Sequence, residues 1–372
     1  MHNRVKVPPT IFRLKHGTLI ERLPDCTLLF SEQDQQIHEV NQTSAVLADR
    51  LVAGATEGEL VGELLSHGAE PAAEWVRTFL EESARSGLLE ADRVEVPASA
   101  ATQRVKVHGQ PLSLRYGSPD LERLLAPAFV HLEEIESGPA YELELSGDKD
   151  LVFIGSGEGS ASVVPRPLAA VRLKGLILER ALGAAGHLAA LHAACLERNG
   201  KALLLLGSPG AGKTTLSLAL MKHGFRYGSD DVTLVKATGE VEGVPLAPAV
   251  KEAAWAIAED HGASLEELPI HLRPDGLHVR FVTLKKELLA GSCRVGAILC
   301  LRRGTDQPTA LEPISPQKAL AELFRESRSA NGRCSGEIMQ ALTELVRRAD
   351  CFDLRYSDAG AAALVLAERM TR

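Results

Sequence analysis

The residues whose types and spacing point most directly to chemistry form a glycine-rich run that ends in a lysine and two threonines. The run fits the pattern G-x-x-x-x-G-K-[ST], whose glycines let backbone N–H groups turn inward toward phosphate oxygens. Lys213 can then reach the β- and γ-phosphates of a nucleotide, and the Thr214 hydroxyl can bind Mg²⁺. The sequence therefore predicts a phosphate-binding loop (Walker A motif) for a nucleoside triphosphate. Its predicted nucleotide-binding residues are Gly207, Ser208, Pro209, Gly210, Ala211, Gly212, Lys213, Thr214 and Thr215.

The elements on either side of this run are the ones that the motif requires. Residues 202–206 are continuously apolar and predict a buried strand, and a helix is expected from the loop to about Lys222. The N-terminus of such a helix adds unpaired N–H donors and the positive end of its dipole. Because the run has the required strand before it and helix after it, an ordinary glycine turn explains the pattern poorly.

A predicted hairpin upstream places a histidine beside the loop. Asn199-Gly200 is a strong signal for a two-residue turn, here between strands at 193–198 and 201–206. Such a hairpin pairs positions whose numbers sum to 399, so His192 would lie across from Gly207. We therefore expect His192 at the mouth of the loop.

Two adjacent aspartates are expected at the same edge of the sheet. The helix ends near Gly224, and residues 225–229 can return as a parallel strand. Nine helical residues rise about 14 Å, and five strand residues cover about 16 Å, so the strand ends level with the loop at Asp230 and Asp231. Ligands bind outside the carboxyl ends of strands in such sheets. Two carboxylates there suit one metal contact and one general base.

The residues from about 191 to 235 resemble the C-terminal domain of HPr kinase/phosphorylase. That family carries a histidine before the loop strand, the phosphate-binding loop and an Asp-Asp pair after the helix, as His192, Asp230 and Asp231 are placed here. The resemblance implies an α/β P-loop kinase core, with a mixed sheet and flanking helices, that uses ATP and Mg²⁺. It also implies a serine kinase acting on a peptide or protein. The chain has Thr214-Thr215 where the HPr enzymes commonly have Ser-Glu, so HPr as substrate and reversal of the reaction stay open.

Within this resemblance the catalytic residues are Asp230, His192 and Lys213. Asp230 is expected to accept the proton of the serine hydroxyl, and Asp231 to hold the metal with Thr214. His192 would orient Asp230 or the γ-phosphate. Three further cations could offset γ-phosphate charge, although each is also what a solvated surface provides: Lys251, Arg273 and Arg280.

The first hundred residues predict a small α+β domain. Strands are expected at 18–23, 26–31 and 35–40, followed by helices at 42–53, after Thr56 and at 70–86, and a last strand at 88–89. Asn41 is expected to cap the first helix, and Thr56 with Glu59 forms a capping-box pattern before the second.

This N-terminal pattern, with Glu39-Val40-Asn41-Gln42-Thr43-Ser44-Ala45 inside it, resembles the PqqD-like fold, a winged-helix relative that binds precursor peptides. The resemblance implies a peptide-recognition domain at 1–92, which binds a leader segment, and a kinase domain at 104–372. An exposed strand edge beside a helix groove is the expected docking surface for an extended peptide. A packing or dimerisation module is the alternative, and homo-oligomer formation stays open.

Bulk properties exclude several classes of function. The 372-residue chain has a formal charge of −8, which argues against a nucleic-acid surface. It has no apolar run of about 18 residues for a membrane span and no apolar signal core at its start, so we expect a cytoplasmic protein. Its six cysteines are scattered without any Cys-x-x-Cys, which favours reduced thiols over a zinc site or disulfides.

The sequence thus predicts an ATP-dependent serine kinase for a ribosomally made precursor peptide, as in lasso peptide tailoring. A kinase for a free hydroxylated small molecule and a nucleotide-gated regulatory ATPase are the alternatives. Elsewhere we expect a strand at 105–114, a helix at 168–190, a strand at 232–236, a turn at 239–243, a strand at 295–301 and helices at 316–324, 335–349 and 357–370.

Overall fold

The structure is a computed structural model that describes residues 9–92, 96–135, 138–157, 159–183, 186–328 and 333–370. The chain forms two compact units. Unit 1 comprises Met1–Arg104, Leu112–Leu125 and Ser137–Leu173, and unit 2 comprises Val105–Pro111, Ala126–Glu136 and Lys174–Arg372.

The elements up to residue 168 are mostly strands and short helices. In chain order they are β1 Ile11–Leu14, β2 Thr18–Arg22, β3 Thr27–Ser31, β4 Gln36–Val40, α1 Gln42–Ala53, β5 Ala55–Thr56, α2 Glu57–Ser66, α3 Ala72–Arg85, β6 Leu89–Ala91, β7 Ala101–Val107, β8 Gln110–Tyr116, α4 Pro119–Leu125, β9 Tyr141–Gly147, β10 Leu151–Gly155 and β11 Ala161–Pro165. Single 3-10 turns lie at Ala126–Ala128, Val130–Leu132 and Arg166–Leu168.

The remaining elements build the larger sheet and its helices. They are α5 Ala169–Gly183, β12 Ala189–Leu191, β13 Ala194–Arg198, β14 Lys201–Leu206, α6 Lys213–Lys222, β15 Arg226–Ser229, β16 Thr233–Val235, β17 Glu240–Gly243, β18 Ala249–Lys251, α7 Trp255–Asp260, β19 His271–Leu272, β20 His278–Phe281, β21 Cys293–Arg303, β22 Ala310–Pro313, α8 Pro316–Glu326, β23 Ser327–Arg328, α9 Gly336–Arg348, β24 Asp350–Tyr356 and α10 Ala359–Arg369. Further 3-10 turns lie at Glu252–Ala254 and Lys286–Leu288.

Unit 1 packs three helices on a sheet whose strands come from distant parts of the chain. The strand order runs β5-β1-β6-β11-β10-β9-β8-β7, and β2-β3-β4 forms a separate small sheet. The Asn41 side chain accepts the Ser44 N–H at 2.8 Å at the start of α1, and Thr56 with Glu59 forms the capping box of α2. The predicted caps are therefore correct, because they depend on neighbouring residues alone.

The hydrophobic core of unit 1 joins the N-terminal helices to the later strands. Leu51, Leu60 and Phe79 of the three helices share one buried cluster with Phe153 of β10 and Val163 of β11. The compact unit therefore extends past residues 1–92, and its limits differ from the predicted boundary between 92 and 104.

Unit 2 is built on a ten-stranded mixed sheet. Its strand order is β15-β13-β14-β21-β17-β16-β12-β23, while β24 pairs with the second half of β21 and with β22. β14, β21 and β24 are mutually parallel. β15 runs antiparallel to β13, which is antiparallel to β14, so β15 returns in the direction of β14 as predicted. The sheet is therefore mixed, and its central strands carry their carboxyl ends to one edge.

Helices cover both faces of this sheet, which explains the continuous apolar run in β14. Leu203 and Leu205 face the cluster that contains α6 and α10. Ala202, Leu204 and Leu206 face the cluster that contains α8 and α9. A strand buried on both faces reads as an unbroken apolar segment rather than an alternating one. The predicted α/β class, with a mixed sheet and flanking helices, is confirmed.

Three local predictions are wrong. Residues 105–114 are not one strand, because His108 and Gly109 both have positive φ and form the turn between β7 and β8. Residues 240–243 of the expected turn form the strand β17, and the turn lies just before it at 237–239. The helix expected to reach residue 190 ends as α5 at Gly183, and β12 follows.

Among the described residues, no helix has both the length and the apolar character needed to cross a membrane. All six cysteines are free thiols.

Candidate active site

The glycine loop, defined as Gly207–Gly212, connects the carboxyl end of β14 to the start of α6, as the sequence predicts. Gly212 has φ 92° and caps α6, and a Cβ there would lie 2.5 Å from the Tyr356 hydroxyl. The Tyr356 hydroxyl donates to the Ala211 carbonyl at 2.7 Å, while the Ala211 N–H donates to the Ser208 carbonyl at 3.0 Å. The loop is therefore held in shape by its own turn and by β24. The first turn of α6 points backbone N–H groups into it.

Lys213 is the first residue of α6, and its ammonium group lies within the loop. Its Nζ donates to the Gly207 carbonyl at 2.6 Å. Burial lowers the pKa of Lys213, and this outweighs the opposing effect of Glu326, Asp231 and Asp230. A cation held by the Gly207 carbonyl, with carboxylates nearby, is available to an anion that enters the loop.

Thr214 and Asp230 form a direct pair beside the loop. The Thr214 hydroxyl donates to Asp230 Oδ2 at 2.8 Å. The Tyr227 hydroxyl lies 2.9 Å from Asp230 Oδ1 and 2.9 Å from the Leu246 carbonyl, so its one proton can be given to either. Asp230 is only 6% exposed. Each of its oxygens thus has a hydroxyl group within hydrogen-bond distance. Burial, followed by the Asp230 charge, raises the pKa of Tyr227.

Asp231 is paired with His192, and His192 is held in turn by a residue that the sequence did not indicate. His192 Nε2 lies 3.2 Å from Asp231 Oδ1, and His192 Nδ1 lies 3.2 Å from Glu326 Oε2. The His192 backbone N–H also donates to the Glu326 carbonyl at 2.8 Å. One imidazole therefore bridges two carboxylates that come from different ends of the sheet.

His192 comes to its expected position through contacts other than hairpin pairing. The hairpin register is as predicted, because Ala194 pairs with Leu205, but β13 begins at Ala194 and His192 does not pair with Gly207. Thr233 donates its hydroxyl proton to the Ala193 carbonyl at 2.8 Å, which fixes the bend between β12 and β13. His192 thus lies near the loop because of this bend and the end of α8.

The surroundings of Asp231 keep it ionised. Its side chain is 54% exposed, in contrast to Asp230. The hydrogen bond from His192, with the charges of Lys174 and Lys213 acting in the same direction, lowers the pKa of Asp231 to about 2 against the opposing effect of desolvation. The two neighbouring aspartates therefore differ in both access and partners.

The three cations considered for the γ-phosphate have other partners or positions. Arg273 pairs with Asp275 at 3.1 Å, and the Arg280 guanidinium lies 4.3 Å from the centre of the Trp255 ring. Lys251 lies in β18, which pairs with β20. Lys174 of α5, which the sequence did not indicate, acts on Asp231 together with Lys213.

Four residues of the site were not predicted from the sequence: Tyr227, Glu326, Lys174 and Tyr356. Glu326 ends α8 and Tyr356 ends β24, both far along the chain from the loop. Only Tyr227 had a local signal, because it precedes Asp230 by three residues on a strand that ends at the site.

No family model and no curated protein matches this sequence. Among solved structures, the chain is similar to the Hpr(Ser) kinase/phosphatase from Coxiella burnetii, with 14% identity and a TM-score of 0.24 over 49% of this chain and 95% of that chain.

Proposed function

We propose that this chain is an ATP-dependent kinase that transfers the γ-phosphoryl group to a serine hydroxyl of a ribosomally made precursor peptide. One observation carries the proposal: the glycine loop and Lys213 meet two carboxylates at one sheet edge, with the Thr214 hydroxyl 2.8 Å from Asp230. Phosphoryl transfer depends mainly on positioning and charge neutralisation. This chemistry uses a loop that binds phosphate, a pair of oxygen ligands for a metal and a second carboxylate.

The oxygen pair of Thr214 and Asp230 fits a magnesium ion. Mg²⁺ prefers oxygen ligands and is usually bound by one or two carboxylates together with substrate phosphates and water. Among the described residues there is no cluster of three or more His, Cys, Asp or Glu side chains suited to a metal. A site built on Thr214 and Asp230 therefore relies on the oxygens of the nucleotide. When bound, the ion supplies charge neutralisation at the β- and γ-phosphates.

The contacts favour an exchange of the roles predicted for the two aspartates. Buried Asp230 is engaged by the Thr214 and Tyr227 hydroxyls, which suits a metal ligand. Asp231 is exposed enough for an incoming hydroxyl to approach, and its low pKa keeps it ionised at neutral pH. An ionised Asp231 accepts a hydrogen bond from the serine hydroxyl and takes its proton as the phosphoryl group transfers. His192, braced by Glu326, fixes the orientation of that carboxylate.

Features of unit 1 support a peptide as the acceptor. Within the described residues, β4 pairs with β3 alone, so its other edge is available to an extended peptide. Leu19, Phe30 and Ile37 lie opposite one another across β2, β3 and β4. Leu19 and Ile37 are both exposed large apolar residues. An open strand edge beside an apolar row is the surface that strand addition with side-chain contacts requires.

Phosphate transfer from radiolabelled ATP to different acceptors tests the proposal. The 372-residue chain with Mg²⁺ would be given serine-containing peptides, free hydroxylated small molecules, or no acceptor. We expect label on peptide serine at a rate above ATP hydrolysis, and loss of that transfer in Lys213→Ala because the cation inside the loop is removed. Label only on a small molecule would replace the peptide by a free metabolite. Hydrolysis without any acceptor labelling would indicate a nucleotide-gated ATPase instead.

A further inference from the structure

A large polar groove opens on the other side of the glycine loop from the aspartates. It has a volume of about 1140 Å³, slightly above the range of roughly 300–1,000 Å³ usual for small-molecule sites. One wall is the glycine loop, and the other walls are the loop after β21 and the end of β24. The lining residues include Ser208, Gly210, Arg303, Thr305, Gln307 and Ser357.

The strand order fixes what lies on each side of the glycine loop. At the carboxyl edge, the end of β15 carries Asp230 and Asp231, and the start of antiparallel β13 follows His192. The glycine loop after β14 comes next. Beyond it are the ends of β21 and then β24, which run parallel to β14. Asp230 and Asp231 therefore lie on one side of the loop and the groove on the other.

A nucleoside triphosphate is a linear ligand, and this order gives it a direction. Its terminal phosphate must lie toward Asp230 and Asp231, because the transfer chemistry is there. The α-phosphate and nucleoside then extend the other way, over the loop and toward the groove. In parallel sheets, ligands occupy the crevice outside the carboxyl ends of neighbouring strands.

Of the three arginines that line the groove, one is left for the ligand. Arg302 lies 2.6 Å from Glu322, and Arg355 lies 2.9 Å from Glu312. Arg303 is exposed at the end of β21 and has no ion pair within the described part of the chain. A Cβ on Gly212 would lie 3.4 Å from Arg303 Cδ, so the Arg303 side chain runs along the glycine loop. A guanidinium in this place can stack on a base.

The floor of the groove is fixed by hydrogen bonds. Gln307 Nε2 donates to the carbonyls of Arg302 at 2.6 Å and Tyr356 at 3.0 Å. The Ser357 hydroxyl donates to the Gln307 carbonyl at 2.9 Å, which ties the loop after β21 to the end of β24. The groove is thus preformed rather than a gap between loose loops.

We propose that this groove binds the nucleoside of the triphosphate, the ribose and the base, with the Arg303 guanidinium against the base. The inference rests on the proposed function, because it places the phosphates of the same nucleotide in the glycine loop. It adds a nucleoside subsite to a site otherwise defined by phosphate contacts alone.

Calorimetry on the full chain, with ATP and with inorganic tripolyphosphate, separates this subsite from the phosphate loop. The wild-type protein should bind ATP at least tenfold more tightly than tripolyphosphate. Arg303→Ala should weaken ATP binding about tenfold and change tripolyphosphate binding less than twofold. Arg347→Ala, which removes an exposed arginine of α9, is the matched control and should change neither affinity. Photolabelling with 8-azido-ATP should then modify peptides that contain residues 301–307 or 353–357.

The outcomes distinguish this inference from the proposed function. Equal affinity for ATP and tripolyphosphate would overturn the nucleoside subsite and leave the phosphate loop standing. Photolabelling only on the side of Asp230 and Asp231 would overturn it too. If Arg303→Ala weakened the binding of ATP and tripolyphosphate equally, Arg303 would contact the phosphates, and its proposed contact with the base would be overturned. Binding of neither ligand to the wild type would overturn the proposed function itself.

Discussion

At the scale of single residues, two adjacent aspartates differ in burial and hydrogen bonding because their surroundings differ. Asp230 is buried and hydrogen-bonded by two hydroxyl groups. Asp231 is half exposed, and its pKa is lowered to about 2 by His192 and the neighbouring lysines. Sequence reasoning placed both carboxylates at the site, but it could not divide the roles because they occupy neighbouring positions on one strand end.

Replacing each aspartate by asparagine should separate metal binding from proton transfer. Asp231→Asn keeps the shape but removes the proton acceptor, so we expect kcat to fall by about 10²–10⁴ with ATP affinity nearly unchanged. Asp230→Asn should instead weaken Mg²⁺-dependent ATP binding. Calorimetry with and without Mg²⁺, together with kcat for transfer to a serine peptide, distinguishes the two variants. If Asp231→Asn is the one that loses Mg²⁺-dependent binding, the roles first predicted from the sequence hold.

At the scale of elements, local signals predicted the strand, loop and helix, and also the hairpin register and the caps. Each depends on residues close together in the chain. The contact between Glu326 and His192 could not be predicted from local signals, because Glu326 reaches His192 only after α8 and β23 fold against β12. The same holds for Tyr356, which lies at the end of β24 and donates its hydroxyl proton to the Ala211 carbonyl of the glycine loop.

The contact between Gly212 and Tyr356 can be tested by substitution with a matched control. Gly212→Ala adds a Cβ at φ 92° and 2.5 Å from the Tyr356 hydroxyl. Gly262 has φ 91° but no heavy atom within 4 Å of such a Cβ, so Gly262→Ala reports the backbone strain alone. We expect Gly262→Ala to lower the free energy of unfolding by about 1–2 kcal/mol, and Gly212→Ala to lower it by more. Urea unfolding measures both.

A double variant identifies the cause of the difference. Tyr356→Phe removes the hydroxyl that the new Cβ approaches, so it should recover part of the additional loss in Gly212→Ala. Equal destabilisation by the two alanine variants would mean that Tyr356 moves aside freely and does not fix the shape of the glycine loop.

At the scale of the whole molecule, the N-terminal helices belong to a unit that continues past the predicted boundary between residues 92 and 104. The buried cluster around α1–α3 includes Leu151, Phe153, Ala161 and Val163 from β10 and β11. β6 also pairs with β11. A chain shortened to begin near residue 102 would expose that apolar surface and a strand edge. Such a truncation therefore cannot report peptide docking by itself, which leaves point substitutions in the full chain as the direct test.

Two exposed apolar residues of the small sheet are suited to that test. Ile37 is 65% exposed and Leu19 is 49% exposed, so neither supports the core of unit 1. Leu19→Asp and Ile37→Asp should raise KM for the acceptor peptide about tenfold or more and leave kcat unchanged, because a remote docking surface contributes to uniform binding rather than to the chemical step. ATP hydrolysis without peptide should stay at the wild-type rate.

Val52→Asp supplies the control, because Val52 of α1 is also 65% exposed and lies outside the small sheet. It should leave KM for the peptide at the wild-type value. Peptide docking at this surface would be rejected if all three variants gave the same KM, or if Leu19→Asp and Ile37→Asp lowered kcat alone. In the first case unit 1 would contribute packing to the enzyme rather than recognition, and a free hydroxylated small molecule would become the better acceptor, since it needs no docking surface.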